Sequence, residues 1–355
     1  MLHVRKAIVK GITKNEVKAL VCTEPGKFEY ISKAKPCLEK ENAIIKIIRI
    51  GICGTDLHAY EGTQPFFEYP RILGHELSGE LIEFDDATGF EKGEPVTFIP
   101  YFNCCSCIAC RMGKPNCCIN IKVCGVHIDG GMTEYLSVPS HSLVHGNELS
   151  YDELALVEPL AVGAHGVNRA NVTAGEFVLV IGAGPIGLAI MEFARIAGGN
   201  VIAVDVKERR LQFSRDNLNI AHTINATSEN VVERLQTITN GDMPTVVIDA
   251  TGNSKAINNA FQYMAHGGRY VLVGLQKGDI SFSHPEFHKR EATLMSSRNA
   301  TRKDYNHVID CIKKKKINPT AFITDHVVFD NAEKEFENWL KPESNIIKVM
   351  VDLNT

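Results

Sequence analysis

The sequence predicts an α/β protein in two parts, a β-rich unit of short strands and a doubly wound unit with a parallel sheet. Three observations predict it. Up to about residue 160 the β-branched runs are short and broken by Gly, Pro, Asn and Asp. Near residue 166 the texture changes, and continuous apolar runs begin to alternate with helical patterns. Between one such run and one such helix stands Gly182-Ala-Gly184-Pro185-Ile186-Gly187. The length of 355 residues fits two domains at about 100–200 residues each.

In chain order, residues 1–16 are polar and weakly patterned. The runs at 17–22, 43–50 and 96–99 read as strands of a barrel-like β unit. Phe177–Ile181 is apolar throughout, as a strand buried on both faces is. A helix over 186–197, a strand over 201–204 and a charged helix over 207–217 follow. Residues 246–248 and 270–273 are further apolar strands. Between them Ala256, Ile257, Ala260, Phe261 and Met264 mark one helical face, capped by Asn253 or Ser254. After residue 300 come two amphipathic helices, one with Tyr305, Val308, Ile309 and Ile312, the other with Phe336, Trp339 and Leu340. The ending 346–351 reads as a strand that returns to the first domain. Lys313–Lys316 reads as the solvated end of a helix.

Composition narrows the function classes. The net charge of −4 gives no reason to expect a nucleic-acid partner. The first twenty residues carry charges where a signal peptide needs an apolar core. The longest apolar run, 177–191, falls short of the roughly 20 residues of a membrane helix. The expectation is a cytoplasmic protein with no membrane partner.

Each glycine of the turn has a distinct task in dinucleotide binding. Gly182 allows the tight turn, Gly184 lets the backbone approach a pyrophosphate, and Gly187 lets helix and strand pack. The helix opened by Pro185 and Ile186 offers its N–H groups to the phosphates. Asp205 ends the next strand, where a carboxylate accepts from ribose hydroxyls and repels a 2′-phosphate, so NAD is favoured over NADP. Arg209 and Arg210 weaken that preference. Thr251, Val273 and Leu275 stand at the ends of later strands and line the cofactor or simply turn the chain.

Of eleven cysteines, six lie between Cys104 and Cys118. Cys104, Cys107, Cys110 and Cys118 have the spacing C-x2-C-x2-C-x7-C, which suits a closed tetrahedral zinc and hence a structural one. An iron–sulfur cluster is the rival, but the bacterial ferredoxin run closes with three intervening residues and a proline. Cys105 and Cys117 are left without a role.

A second constellation is spread along the chain: Gly51-Ile-Cys53-Gly-Thr55-Asp56-Leu-His58, then Gly74-His75-Glu76, then Glu158-Pro-Leu-Ala-Val-Gly-Ala-His165. Together they supply the Cys, His and carboxylate of a catalytic zinc with one open position. With the cysteine lobe and the glycine turn, these motifs make the chain resemble the zinc-dependent medium-chain alcohol dehydrogenases, nearest the polyol (sorbitol-like) and threonine dehydrogenase branch. The resemblance covers about residues 17–353.

The resemblance implies a GroES-like catalytic domain over 1–165, with the zinc lobe at 103–119. It implies a Rossmann NAD-binding domain over 166–300 and a return to the catalytic domain over 301–355. It makes Cys53 and His75 catalytic-zinc ligands, with Glu76 or Glu158 completing the shell. It makes Asp56 the residue that orients His75, and Thr55 and His58 a relay for the alcohol proton. Arg298, where the family chain re-enters the catalytic domain, meets substrate or forms an interface ion pair. The implied activity is hydride transfer from a secondary alcohol, such as a polyol or sugar acid, to NAD. L-Threonine 3-dehydrogenase and simple alcohol dehydrogenase are the alternatives, and an inactive NAD-binding protein is the non-enzyme one. Two zinc ions per chain, one catalytic and one structural, and a dimer or tetramer of identical chains complete the expectation.

Overall fold

The computed structural model describes residues 15–64, 67–85, 89–146, 148–341 and 343–353. The polar opening, to which no role is assigned, falls outside the described residues up to position 14. Two compact units emerge: Met1–Glu158 with Phe322–Thr355, and Pro159–Ala321.

The first unit is β-rich. Its main sheet runs, in spatial order, Leu143–His145, Pro95–Phe98, Glu76–Phe84, Asn42–Ile52, Lys348–Asp352 and Ile323–Val328, with Tyr135–Pro139 also paired to Asn42–Ile52. A three-stranded sheet places Glu16–Glu24 between Lys27–Ala34 and Arg71–Ile72. The barrel-like expectation thus takes the form of two sheets around one core, in which Leu20 and Phe28 pack with Ile45, Ile47, Leu77 and Phe336. The C-terminal strand does return here, antiparallel to Asn42–Ile52.

The second unit is a six-stranded, all-parallel sheet in the order His222–Asn225, Asn200–Asp205, Phe177–Ile181, Val246–Asp249, Arg269–Leu272, Thr293–Ser296. The apolar strands lie at its centre, where Leu179, Ile202 and Val247 are fully buried. The helix expected through Met264 stops at Ala260, so only Ala256, Ile257 and Ala260 of the predicted face lie within it. Its cap is Asn253, whose side chain accepts from Ala256 N at 3.1 Å.

Both domain boundaries move. The chain passes from the first unit to the second at 158/159 rather than 165/166, and back at 321/322 rather than 300/301. Contacts with the helix Pro185–Ile196 give the reason at the second boundary: Arg195 Nη2 donates to Lys316 O at 3.2 Å, and the Phe193 and His307 ring centroids are 5.5 Å apart. Asp304, in the helix Arg302–Lys313, lies 2.9 Å from His165 Nδ1 and accepts from Asn168 Nδ2 at 3.3 Å. His165 and Asn168 sit on the helix Val157–Ala170, so the two helices belong together. Among the described residues no helix is long and apolar enough to cross a membrane.

Candidate active site

The cysteine lobe hangs from a short antiparallel ribbon, Tyr101–Phe102 paired with Lys122–Val123. The lobe is poor in buried apolar surface: Ile108, Met112 and Ile119 are 57%, 62% and 74% exposed. Something other than burial must hold it. The sulfurs of Cys104, Cys107, Cys110 and Cys118 all lie within 4.8 Å of one another. Cys107 and Cys110 are 3.5 Å apart, and Cys104 and Cys118 3.4 Å. A zinc ion with bonds of about 2.3 Å holds its sulfurs about 3.8 Å apart, so the quartet fits. Backbone N–H groups of Cys104 and Asn120 donate to Cys118 Sγ at 3.3 Å. The Ser106 hydroxyl and nearby backbone N–H groups bring the Cys104 thiol down to about 5, toward the ligating thiolate form. Cys105 and Cys117 are exposed and outside the quartet.

Strand register builds the second cluster. Cys53 follows the strand Asn42–Ile52 and precedes the helix Gly54–Tyr60. His75 leads into the strand Glu76–Phe84, which pairs Glu76 with Gly51. A Cβ on Gly51 would fall 2.3 Å from Glu76 Oε2, so glycine leaves room for this carboxylate. Ligand atoms of Cys53, His75 and Glu76 lie within 4.8 Å of one another. Thiol, imidazole and carboxylate at that spacing are a donor set that suits zinc.

Asp56 holds the cluster by its backbone. Its Oδ2 accepts from Cys53 N at 2.9 Å and its Oδ1 from Gly74 N at 3.2 Å. His75 Nδ1 is 3.8 Å from Asp56, beyond hydrogen-bond reach, so Asp56 ties together the two segments that carry the ligands rather than gripping the ring. Burial works against protonation of His75. The negative charge of Asp56, Cys53 and Glu158 outweighs it and holds the imidazole well above 6.5, the mark of a pocket that attracts a cation.

Glu158 opens the helix Val157–Ala170 and is buried. Burial pushes its carboxyl up to about 7, against the pull of His75. It accepts a hydrogen bond from the Tyr101 hydroxyl. It is not part of the compact trio, whereas Glu76 is. Both oxygens of Glu76 accept from Lys348 Nζ at 2.6 Å, and Lys348 also donates to Ile52 O at 3.1 Å. Neither Lys348 nor Tyr101 was singled out by the sequence. For Lys348 a signal existed, a lone charge inside the apolar run 346–351. Thr55 and His58 lie three residues apart on the helix Gly54–Tyr60, which puts them on one side of it. The exposed His58 ring has Nδ1 3.1 Å from both Glu61 Oε2 and Thr63 Oγ1.

The three glycines of the turn stand in different surroundings. Gly182 has φ +97°, a left-handed conformation that disfavours a side chain. A Cβ on Gly187 would fall 1.7 Å from Gly182 O, whereas one on Gly184 would meet only Arg210 Nη1, at 3.7 Å. Gly184 therefore faces open space, and Pro185 and Ile186 begin the helix behind it. Asp205 Oδ2 accepts from Ala183 N at 2.6 Å and Oδ1 from Lys207 N at 2.8 Å. A carboxylate has about four acceptor sites, so ribose hydroxyls can still be received. Arg210 Nη1 stands 3.9 Å from Asp205 Oδ2. Buried Asp249 fixes the next turn, accepting from Thr251 Oγ1 at 2.6 Å and Gly252 N at 3.0 Å. Val273 follows the strand Arg269–Leu272, and Leu275 beyond it is exposed. All of these lie at the carboxyl ends of the parallel strands, where such sheets bind ligands.

Residues 39–148 match the alcohol dehydrogenase GroES-like domain, and residues 185–314 match the zinc-binding dehydrogenase domain. The chain belongs to the zinc-binding alcohol dehydrogenases. The dehydrogenase is 39% identical to L-galactonate-5-dehydrogenase of Escherichia coli (strain K12), over 94% of its own length and 98% of the relative's. It matches the alcohol dehydrogenase RspB of Escherichia coli CFT073, complexed with NADH, with a TM-score of 0.88 at 28% identity, covering 96% and 100% of the two chains. It also matches a protein of Sinorhizobium meliloti 1021, described as a zinc-binding dehydrogenase and bound to NADP, with a TM-score of 0.88 at 25% identity and the same coverage.

Proposed function

We propose that this dehydrogenase oxidises a secondary alcohol of a sugar acid or polyol and passes the hydride to NAD. In this reading Cys53 and His75 hold the catalytic zinc with Glu76 or Glu158, and Cys104, Cys107, Cys110 and Cys118 hold a structural one. The observation that carries the reading is the meeting of Cys53, His75 and Glu76 at adjoining strand ends. When bound, zinc supplies the Lewis acidity that eases loss of an alcohol proton, and the nicotinamide supplies the hydride acceptor.

The chain's own residues do the rest. Thr55 takes the hydroxyl proton and hands it toward His58, whose exposed ring releases it to water. Gly182, Gly184 and Gly187 shape the turn that receives the pyrophosphate, against the helix begun by Pro185 and Ile186. Asp205 accepts from the ribose hydroxyls and repels a 2′-phosphate, a preference that Arg210 beside it softens. Thr251, Val273 and Leu275, at the ends of the later strands, line the cofactor. The sugar-acid class is supported by the name of the 39% identical relative, an aldonate dehydrogenase. Family resemblance supports a homodimer or homotetramer, and light scattering measures the oligomeric state.

The test is cofactor reduction, followed by NADH fluorescence, over aldonates, polyols, their phosphates and threonine, with NAD and NADP compared. The expected result is turnover of an aldonate or polyol with NAD preferred. Turnover of threonine alone, or of no alcohol, would contradict the proposal.

A further inference from the structure

Given that Cys53 and His75 hold the catalytic zinc, as proposed above, we infer that Tyr101 is a positioning residue, whose hydroxyl holds Glu158 toward that centre. Tyr101 and Glu158 are 6% and 4% exposed, so water has little access to either group. The Tyr101 hydroxyl donates to Glu158 Oε1. Glu158 in turn lies within electrostatic reach of His75, Glu76 and Lys348. A buried carboxylate needs a hydrogen-bond donor, and the choice of donor fixes where the carboxylate points.

The backbone around Tyr101 is built to hold it still. Tyr101 pairs with Val123 and Phe102 with Lys122 across the ribbon. Just outside it, Cys124 N donates to Pro100 O at 2.9 Å. Two residues beyond Phe102 stands Cys104, and four before Lys122 stands Cys118, whose sulfurs are 3.4 Å apart. The ribbon is therefore closed at one end by the thiol quartet, and its other end presents the Tyr101 hydroxyl to Glu158. Phenylalanine would fill the same space and pack the same neighbours; only the hydroxyl serves the carboxylate.

The test uses the full chain. Wild type, Tyr101→Phe, Glu158→Gln, the Tyr101→Phe/Glu158→Gln double variant and Cys53→Ser are loaded with zinc and titrated with a competing chelator. Zinc per chain and the melting temperature are recorded for each. Loss of an outer-shell partner typically weakens metal binding 10–100-fold. Tyr101→Phe is expected to weaken one zinc equivalent by about that factor, the same equivalent that Cys53→Ser removes. The other equivalent stays at its wild-type value, and the melting temperature falls modestly, because Tyr101→Phe leaves the buried Glu158 without that donor. The double variant is expected to be no weaker than Glu158→Gln, because the two side chains act through one bond. If Tyr101→Phe binds both equivalents as wild type does while Cys53→Ser loses one, the inference falls and the catalytic-zinc reading stands. If the double variant shows two independent losses, Tyr101 does not act through Glu158. If Cys53→Ser keeps both equivalents, the zinc reading itself fails and takes this inference with it.

Discussion

Gly184 and Gly187 occupy one turn three residues apart, yet methyl groups at the two positions should do different damage. At Gly187 the new Cβ would sit 1.7 Å from Gly182 O, a backbone atom that cannot rotate away. Overpacking of this kind typically costs about 1–3 kcal/mol. In a unit the size of Pro159–Ala321 each kcal/mol moves the melting midpoint by about 2–4 °C, so Gly187→Ala should lower it by roughly 2–12 °C. At Gly184 the nearest atom would be Arg210 Nη1, an ordinary contact at 3.7 Å, and the backbone is extended at φ −79°, ψ −177°. Gly184→Ala should therefore melt like wild type while weakening NADH binding, because its methyl group occupies the approach to the pyrophosphate. Calorimetry and NADH fluorescence titration on both variants separate the two effects. Equal destabilisation by both substitutions, or wild-type NADH affinity in Gly184→Ala, would refute this division of roles.

Three further substitutions probe Glu76, the cofactor turn and the His165–Asp304 contact. Lys348→Met strands Glu76 in a pair whose side chains are 3% and 0% exposed, and breaking such a buried pair costs about 3–5 kcal/mol, readable as a large fall in denaturant midpoint. Asp205→Ala should relax the preference for NAD over NADP, measured as the ratio of the two kcat/KM values; an unchanged ratio removes its role. Burial pushes the Asp304 carboxyl up, but bonds from His165 and Thr301 outweigh it and bring it down to about 2. A carboxyl lowered on folding contributes stability that is full above the ordinary Asp range, near 4, and is lost as pH falls toward 2. The difference in melting temperature between wild type and Asp304→Asn should follow that window.

How far the sequence could be read depended on what each segment buries. Phe177–Ile181 was legible to the residue because a strand covered on both faces is apolar at every position. The sheet's edge strands His222–Asn225 and Thr293–Ser296 were not, since one is polar and the other half-exposed, and neither alternates clearly. The donor atoms of Cys53 and His75 and the thiol quartet do come together, and this was legible because few residue types carry the donors that a metal site needs. Their setting was not. Gly51 faces Glu76 only through strand register, and Lys348 reaches Glu76 across 272 residues of chain. The return point near residue 321 was also hidden, because long-range contacts such as Arg195 with Lys316 O keep the preceding segment in the second unit, with no break in composition to mark it.

Cys53 is proposed to hold a catalytic zinc distinct from one held by the cysteine lobe. Zinc content, NADH affinity and turnover of Cys53→Ala beside wild type test it most directly. About two zinc ions per wild-type chain and about one in the variant are expected, with NADH bound as before and turnover abolished. A wild-type chain with one zinc or none, or a variant that still turns over, would contradict it.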